Sequence, residues 1–567
     1  MGNVIRKASY VSLYLKSLLV VGVLFATPVL AQEAAAPSRL QELEQQRQEA
    51  LRQQRRAEQR EHTTIPVELP ELEPSAVSPE AKEECLPINR LSVDGVTQFD
   101  SDTVNQWLAP YQTECITRHA INQLLKRITR DYLEQGFVTS RAYLPSQDLS
   151  DGIFQITVVE GRVEAVRIEG GPARMASAAF PGLEGRVLNL RDIEQGLDQI
   201  NRLAGVSATV EFVPGKKVGA TVVMVSVREE EQVGAEFGLN NTGQESTGRR
   251  QGLISLSMSN LLGVNEFFNF NYQRNTQGNS QEKLSESLGF YSAMPFGYWL
   301  FSVSANRFEY LTIIDGATQT FSSSGDSRSQ RLSAQRNLYR DQVSKLSGEL
   351  LVKQQENNNF IEDTRLDTSS FSYSAMELSL NYERYFEGGA TALLAGRYTR
   401  GLENDLPEQS THLFDEDFNK LSLDLSYFSP VPWLGNRARW TSRLSVQHSS
   451  DALYSAEALT LGSRYTVRGF KEDSIDGTEG AYWRNEVSQT YFPSPHYPEY
   501  WLSPYVALDA GVVSGEDSLA GASVGLRAGG RYLNLELFYS EAISAPGSIS
   551  KDDNKDIGFS LAMTANW

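Results

Sequence analysis

The chain is 567 residues long, 40% hydrophobic and 10% aromatic, with a formal net charge of -19 and a mean hydropathy of -0.36. That length predicts several domains, and the acidic balance excludes a nucleic-acid binder working through a basic face. A polar chain rich in Tyr and Phe fits a membrane β-barrel, where only every second strand residue meets lipid.

Residues 1–31 read as a signal peptide. Arg6, Lys7 and Lys16 give a positive start, Leu18 to Ala26 a short apolar core, and Val29-Leu30-Ala31 a small-residue cleavage site. Cleavage before Gln32 would remove three basic residues and leave a charge of -22. An uncleaved anchor is the competing expectation, but the apolar run is shorter than the ~20 residues of a helical span. No later run is long and apolar enough for one. The chain is therefore exported, as a soluble protein or as a barrel.

Residues 32–61 hold a Gly-free stretch rich in Ala, Gln, Glu and Arg, which predicts a helix. Leu40, Leu43 and Leu51 give it only a thin apolar stripe, so it belongs free in solvent or in a wet cavity. Residues 62–84 carry Pro66, Pro70, Pro74 and Pro79, a semi-extended linker. Cys85 and Cys115 are the only cysteines. In an oxidising compartment they are expected to pair, and closing that loop contributes roughly 3.5 kcal/mol in the chain-entropy model.

Residues 85–160 predict an α+β unit of order β-α-α-β-β. Strands are expected over 88–93, 138–144 and 153–159, and helices over 102–109 and 118–135. The second helix has Ile121, Leu124, Leu125, Ile128 and Tyr132 on one face and Gly136 at its end. Residues 161–230 predict the same order again, with a helix over 191–203, which suggests a tandem repeat.

From 231 to 567 the period becomes two. Met376, Leu378, Leu380 and Tyr382 alternate with Glu377, Ser379, Asn381 and Glu383. Leu421, Leu423, Leu425 and Tyr427 alternate with Lys420, Ser422, Asp424 and Ser426. The polar face carries charges such as Lys345, Glu349, Lys353, Arg439 and Arg443, which suits a watery lumen better than the interface of a soluble sandwich. At roughly 21 residues per strand and connection, this length predicts an all-β transmembrane barrel of about 16 antiparallel strands. Its last strand places Ile557, Phe559, Leu561, Met563, Ala565 and Trp567 on one face. Around Asp509, the residues Val506, Leu508, Ala510 and Val512 make the lipid face, so Asp509 points into the lumen.

Three stretches carry a resemblance. YLEQGFVTSRAYLPSQDLSDGIFQITVVEG, from Tyr132 to Gly161, resembles the first POTRA module of the hemolysin secretion/activation proteins. These are the two-partner secretion transporters (TpsB type) of the POTRA-plus-barrel superfamily. Val467-Arg468-Gly469-Phe470 resembles the superfamily's loop motif. Leu508-Asp509-Ala510-Gly511 resembles its aspartate motif, with Ala507 where an aromatic residue is frequent. The resemblance implies POTRA 1 over 85–160 and POTRA 2 over 161–230. It also implies a plug helix within 32–61 and a barrel whose luminal loop places Arg468 against Asp509, with Gly511 beside it. Trp567 would act as a C-terminal signal for barrel targeting.

The implied function is export of a large partner protein carrying an N-terminal secretion domain, such as a hemolysin, an adhesin or a contact-dependent inhibition toxin. The resemblance leaves open export with or without activation of the partner. Outer-membrane lipid, periplasmic chaperones and the barrel assembly machinery would be further partners, and nucleic acid would not. An insertase that assembles other barrels is the alternative, and a passive porin needs neither motif. No catalytic residues, cofactor or metal are expected. The five histidines are scattered, no P-loop occurs, and Asp415 and Asp417 fall in a turn.

Overall fold

The computed structural model describes residues 40, 41, 44, 46 and 47, and residues 85–567 apart from 230, 278–281, 317–318, 403–413, 516–517, 548 and 550–553. The expected signal peptide (1–31) and linker (62–84) lie outside the described residues, and the expected N-terminal helix is described, as helical, at its five positions only.

The first module comprises β1 (Cys85–Pro87), β2 (Arg90–Asp94), α1 (Ser101–Leu108), β3 (Cys115–Thr117), α2 (Arg118–Glu134), β4 (Arg141–Tyr143) and β5 (Ile153–Val159). Its sheet has the order β2-β5-β4, with β2 parallel to β5. Polar side chains start both helices. Asp100 accepts from the Thr103 amide at 2.8 Å, and Thr117 from the Ala120 amide at 3.2 Å. On α2, Ile121, Leu124, Ile128 and Tyr132 are buried, and Leu125 packs half-buried beside them. Phe99 meets Trp107 and Tyr132 edge to face, with centroids at 5.0 and 4.8 Å. The separate β1–β3 ladder brings the two cysteine-bearing strands side by side.

The strand expected over 138–144 is shorter, Arg141–Tyr143. Val138 instead joins the core of the second module, and the Ser140 amide closes a turn onto the Phe137 carbonyl. The Ser140 hydroxyl then accepts from the Gly161 amide at 3.1 Å. A side chain at Gly161 would come within 2.0 Å of Thr139 Oγ1, so the stretch that carries the family resemblance is also the joint between modules.

The second module has β6 (Arg162–Glu169), α3 (Ala173–Ala179), α4 (Leu190–Asn201), β7 (Val206–Pro214) and β8 (Ala220–Glu229), in sheet order β6-β8-β7 with β6 parallel to β8. With the separate β1–β3 ladder set aside, the first module has the same β-α-α-β-β order. Its helix α4 seats on the rim of the barrel. Tyr298 donates to Asp192 at 2.6 Å, Lys345 pairs with Asp198 at 2.6 Å, and Arg340 pairs with Glu194 at 3.1 Å and with Asp198. Arg202 donates to the Asn265 carbonyl at 2.7 Å.

Among the described residues, sixteen antiparallel strands, β9 (Val233–Asn240) to β24 (Lys555–Asn566), close into a barrel, with a two-residue piece, Thr364–Arg365, at one turn. The seam pairs β24 with β9, Leu561 opposite Leu239, and Trp567 and Val233 exchange backbone hydrogen bonds of 2.9 and 3.0 Å. The period-two reading holds in the wall. Met376, Leu378 and Leu380 face outward and are exposed, while Ser379 and Glu349 are buried on the luminal side.

Candidate functional site

The long connection between the eleventh barrel strand, β19 (Ala438–His448), and the twelfth, β20 (Gly480–Gln489), folds back into the lumen. Within it Leu459–Leu461 pairs with Ile475–Gly477 as a small hairpin. An apolar knot of Leu459, Leu461, Val467, Phe470 and Ile475 packs against Val513, Leu519 and Ala542 of the wall. Val467 and Phe470 of the motif are therefore packing residues, and Arg468 between them is aimed at charge.

Arg468 meets Asp509 of β21 (Trp501–Val513) with two prongs, Nε to Oδ2 at 2.6 Å and Nη2 to Oδ1 at 2.8 Å. Its backbone amide adds a third bond to Oδ2 at 3.1 Å. The pair is buried, with Arg468 8% and Asp509 4% exposed. The resemblance implied this pair, while the residue pattern itself placed only Asp509 on the luminal face. Both missed the rest of the network. Arg468 also donates to Glu486 at 2.8 Å, and Glu486 is shared with Arg527 at 2.5 Å. Arg527 bridges on to Glu536 at 3.1 Å, which Arg464 also pairs with, and Arg484 stands 3.7 Å from Asp509. Alternation marks these charges as luminal but cannot say which strands lie next to the loop.

Three glycines permit the approach. Gly469 has φ +97, and a Cβ there would lie 2.5 Å from the Glu541 carbonyl. A Cβ on Gly521 would lie 1.7 Å from the Arg468 carbonyl oxygen. A Cβ on Gly511 would lie 2.7 Å from Leu461 Cδ1 and 3.1 Å from Val467 Cγ2. Ala507, where an aromatic residue is frequent in the family, is buried beside Tyr505 and Phe538.

A second anchor holds the base of the loop to the wall. Glu457 is 2% exposed and pairs with Lys353 at 2.5 Å and Lys420 at 2.6 Å, and Tyr373 donates to it. Beside it Tyr454 stacks on Tyr373, with centroids at 4.5 Å. The loop is thus strapped across the lumen between two parts of the wall.

The described positions of the N-terminal helix touch both loop and wall. Gln46 donates to the Thr460 carbonyl at 2.8 Å and accepts from Ser463 at 2.9 Å. Glu44 accepts from Ser287 at 2.8 Å and pairs with Arg47 at 2.6 Å, and Gln41 donates to the Asp326 carbonyl at 3.3 Å. These polar contacts explain why a helix with little apolar surface finds a place here.

In the first module, Glu160 accepts from the Thr97 amide at 2.6 Å, the Gln98 amide at 3.1 Å and the Tyr132 hydroxyl at 2.8 Å. Burial opposes ionisation of this carboxyl, but the bonds from Thr97, Tyr132 and Gln98 outweigh it and hold it below the usual carboxylate range. Burial and the same carboxylate push the Tyr132 hydroxyl well above its ordinary value. Among the described residues no group of three or more His, Cys, Asp or Glu is arranged to hold a metal ion.

Known proteins share this architecture. The family model for haemolysin secretion/activation protein ShlB/FhaC/HecB matches residues 219–528, the ShlB-type POTRA domain residues 86–161, and a further POTRA domain residues 162–214. The outer membrane transporter CdiB of Dickeya dadantii (strain 3937) is 33% identical over 457 residues, covering 78% of this chain and 80% of that protein. The hemolysin transporter protein ShlB of Serratia marcescens is 29% identical over 470 residues, covering 80% and 81%. Among solved structures, CdiB from Escherichia coli has a TM-score of 0.83 at 29% identity, covering 95% of this chain and 100% of that one. CdiB from Acinetobacter baumannii, at 21% identity, a TM-score of 0.76 and the same coverages, shares the fold. A closed barrel behind two POTRA modules, with a family model matching more than half of the chain, settles the lineage: the chain belongs to the haemolysin secretion/activation protein family.

Proposed function

We propose that this chain is an outer-membrane transporter that exports a large partner exoprotein by two-partner secretion. The barrel lies in the outer membrane and the POTRA modules in the periplasm. The single observation that carries the reading is the strapped loop, with its Arg468–Asp509 lock, inside a barrel whose relatives are named transporters. In this reading residues 1–31 are removed, 32–61 plug the lumen, 62–84 link, and 85–160 and 161–230 take up the unfolded partner. Residues 231–567 then pass it outward. Free edges of the POTRA sheets suit extended peptide by strand addition. The partner enters by an N-terminal secretion domain and is a hemolysin, an adhesin or a contact-dependent inhibition toxin. Folding outside prevents its return. Chaperones and the barrel assembly machinery deliver the barrel to the lipid, with Trp567 as the terminal signal, and a Cys85–Cys115 disulfide ties the first module. The reading includes no enzymatic step.

Arg468 holds the loop in its secretion-competent place, and Gly469, Gly511 and Asp509 make that place. Arg468→Ala removes one partner of a buried pair and costs about 3–5 kcal/mol of loop attachment. Partner in the medium is expected to fall while the barrel stays in the membrane. Unchanged secretion contradicts this role. Client barrels accumulating in the outer membrane, with no partner in the medium, would point instead to an insertase.

A further inference from the structure

The acidic balance of the chain does not extend to its lumen. Beneath the loop and the helix lies a cavity of about 240 Å³, bordered by Gln46, Tyr465 and Thr466. Six basic and four acidic side chains line it. Most of the basic ones are accounted for. Lys353 and Lys420 are held by Glu457, Arg397 by Asp424, and Arg484 by Asp509. Arg331 and Arg443 are different: neither side chain makes a hydrogen bond or an ion pair with any described residue.

Both point inward. Arg331 alternates with the exposed Leu332 and shares its face with the buried Ser329 and Ser333. Arg443 alternates with the exposed Leu444. Arg443 also borders the neighbouring cavities of about 380 and 250 Å³, so it stands where the luminal spaces meet. A guanidinium keeps its charge at any physiological pH and offers a planar fork matched to a carboxylate. In a narrow lumen with low-dielectric walls its field is focused along the path. A structural arginine spends that fork on a fixed partner, as Arg468 does. These two leave theirs open to whatever occupies the cavity.

We propose that Arg331 and Arg443 form a carboxylate-binding station on the export path. Acidic side chains of the passing polypeptide pair with it in turn, and small anions occupy it when the lumen is empty. The proposal rests on the transporter reading for its polypeptide.

The test uses the full chain in planar bilayers of phosphatidylcholine. The reversal potential is measured in a KCl gradient, and then a Glu-rich or a Gln-rich peptide is added on the POTRA side. The expected result is an anion preference of at least about twofold, falling to about unity in the Arg331→Gln/Arg443→Gln double variant. The Glu-rich peptide should block the unaltered channel and not the variant. Heat-modifiable mobility on a gel checks that the variant barrel is closed, and Arg443→Gln alone serves if the double variant does not insert. An unchanged reversal potential and block, or equal block by the Gln-rich peptide, overturns the proposal. An anion preference without peptide block reduces the station to a small-ion site and overturns the carboxylate assignment. Absence of current means that the cavities do not join, which also overturns it. The currents need no partner protein, so failure here is separable from failure of the transporter reading, which secretion by the unaltered chain decides.

Discussion

The Arg468 guanidinium bonds Asp509 through two different nitrogens, so its place depends on a planar fork as well as on charge. Arg468→Lys keeps the charge and loses the fork. Secretion is expected to fall with this variant too, and full secretion would mean that charge alone suffices. Space is the second requirement. Gly521→Ala puts a methyl 1.7 Å from the Arg468 carbonyl oxygen, against backbone that has nowhere to go. The loop should then move from the wall, and partner in the medium should drop although every charge is retained. Secretion equal to the unaltered chain would show that the close approach is dispensable. Asp509 was legible in the sequence because apolar neighbours on either side fix its face. Glu486 and Glu457 were not. Each is one luminal or loop carboxylate among many until the fold sets it beside Arg468 or between Lys353 and Lys420.

Elements of the periplasmic modules were read closely wherever one residue set both pattern and boundary. Helix α2 is capped by Thr117 and ends before Gly136, as its stripe and its glycine imply. The strand expected over 138–144 failed at its first half because an apolar Val138 looks the same whether it packs within its own sheet or into the next module. Glu160 sits at the same joint and gives a pH signature. Its folded pKa is depressed, so its contribution is complete above the ordinary carboxylate range and is lost as pH falls through the lower folded value. Hydrogen-exchange protection across residues 85–160 of the full chain, taken relative to the intrinsic amide exchange rate at each pH, should therefore fall on acidification. Glu160→Gln should cost about 1–3 kcal/mol of local stability at neutral pH and flatten that response. Protection equal to the unaltered chain at both pH values would contradict the assignment. The seat of α4 on the rim is likewise testable. Arg340→Ala breaks its pairs with Glu194 and Asp198, and protease should then reach the second module faster. No change in cleavage would mean that the seat is held elsewhere.

At the scale of the molecule, alternation with charges on its polar face yields a barrel and the length of the segment its strand number, because a lipid-facing wall repeats one rule sixteen times over. What fills the barrel is less legible. The helix positions at Gln41, Glu44, Gln46 and Arg47 meet polar groups scattered from Ser287 to Ser463, a set that only the closed wall brings together. Loop, helix and modules all bear on one path through the membrane, and the central claim is that a partner protein takes it. The most direct measurement is co-expression of the chain with a candidate large partner exoprotein from the same genome, followed by assay of the medium, with and without residues 85–229. The account predicts partner in the medium with the intact chain alone. A normally inserted, intact barrel that leaves the partner inside the cell would contradict it.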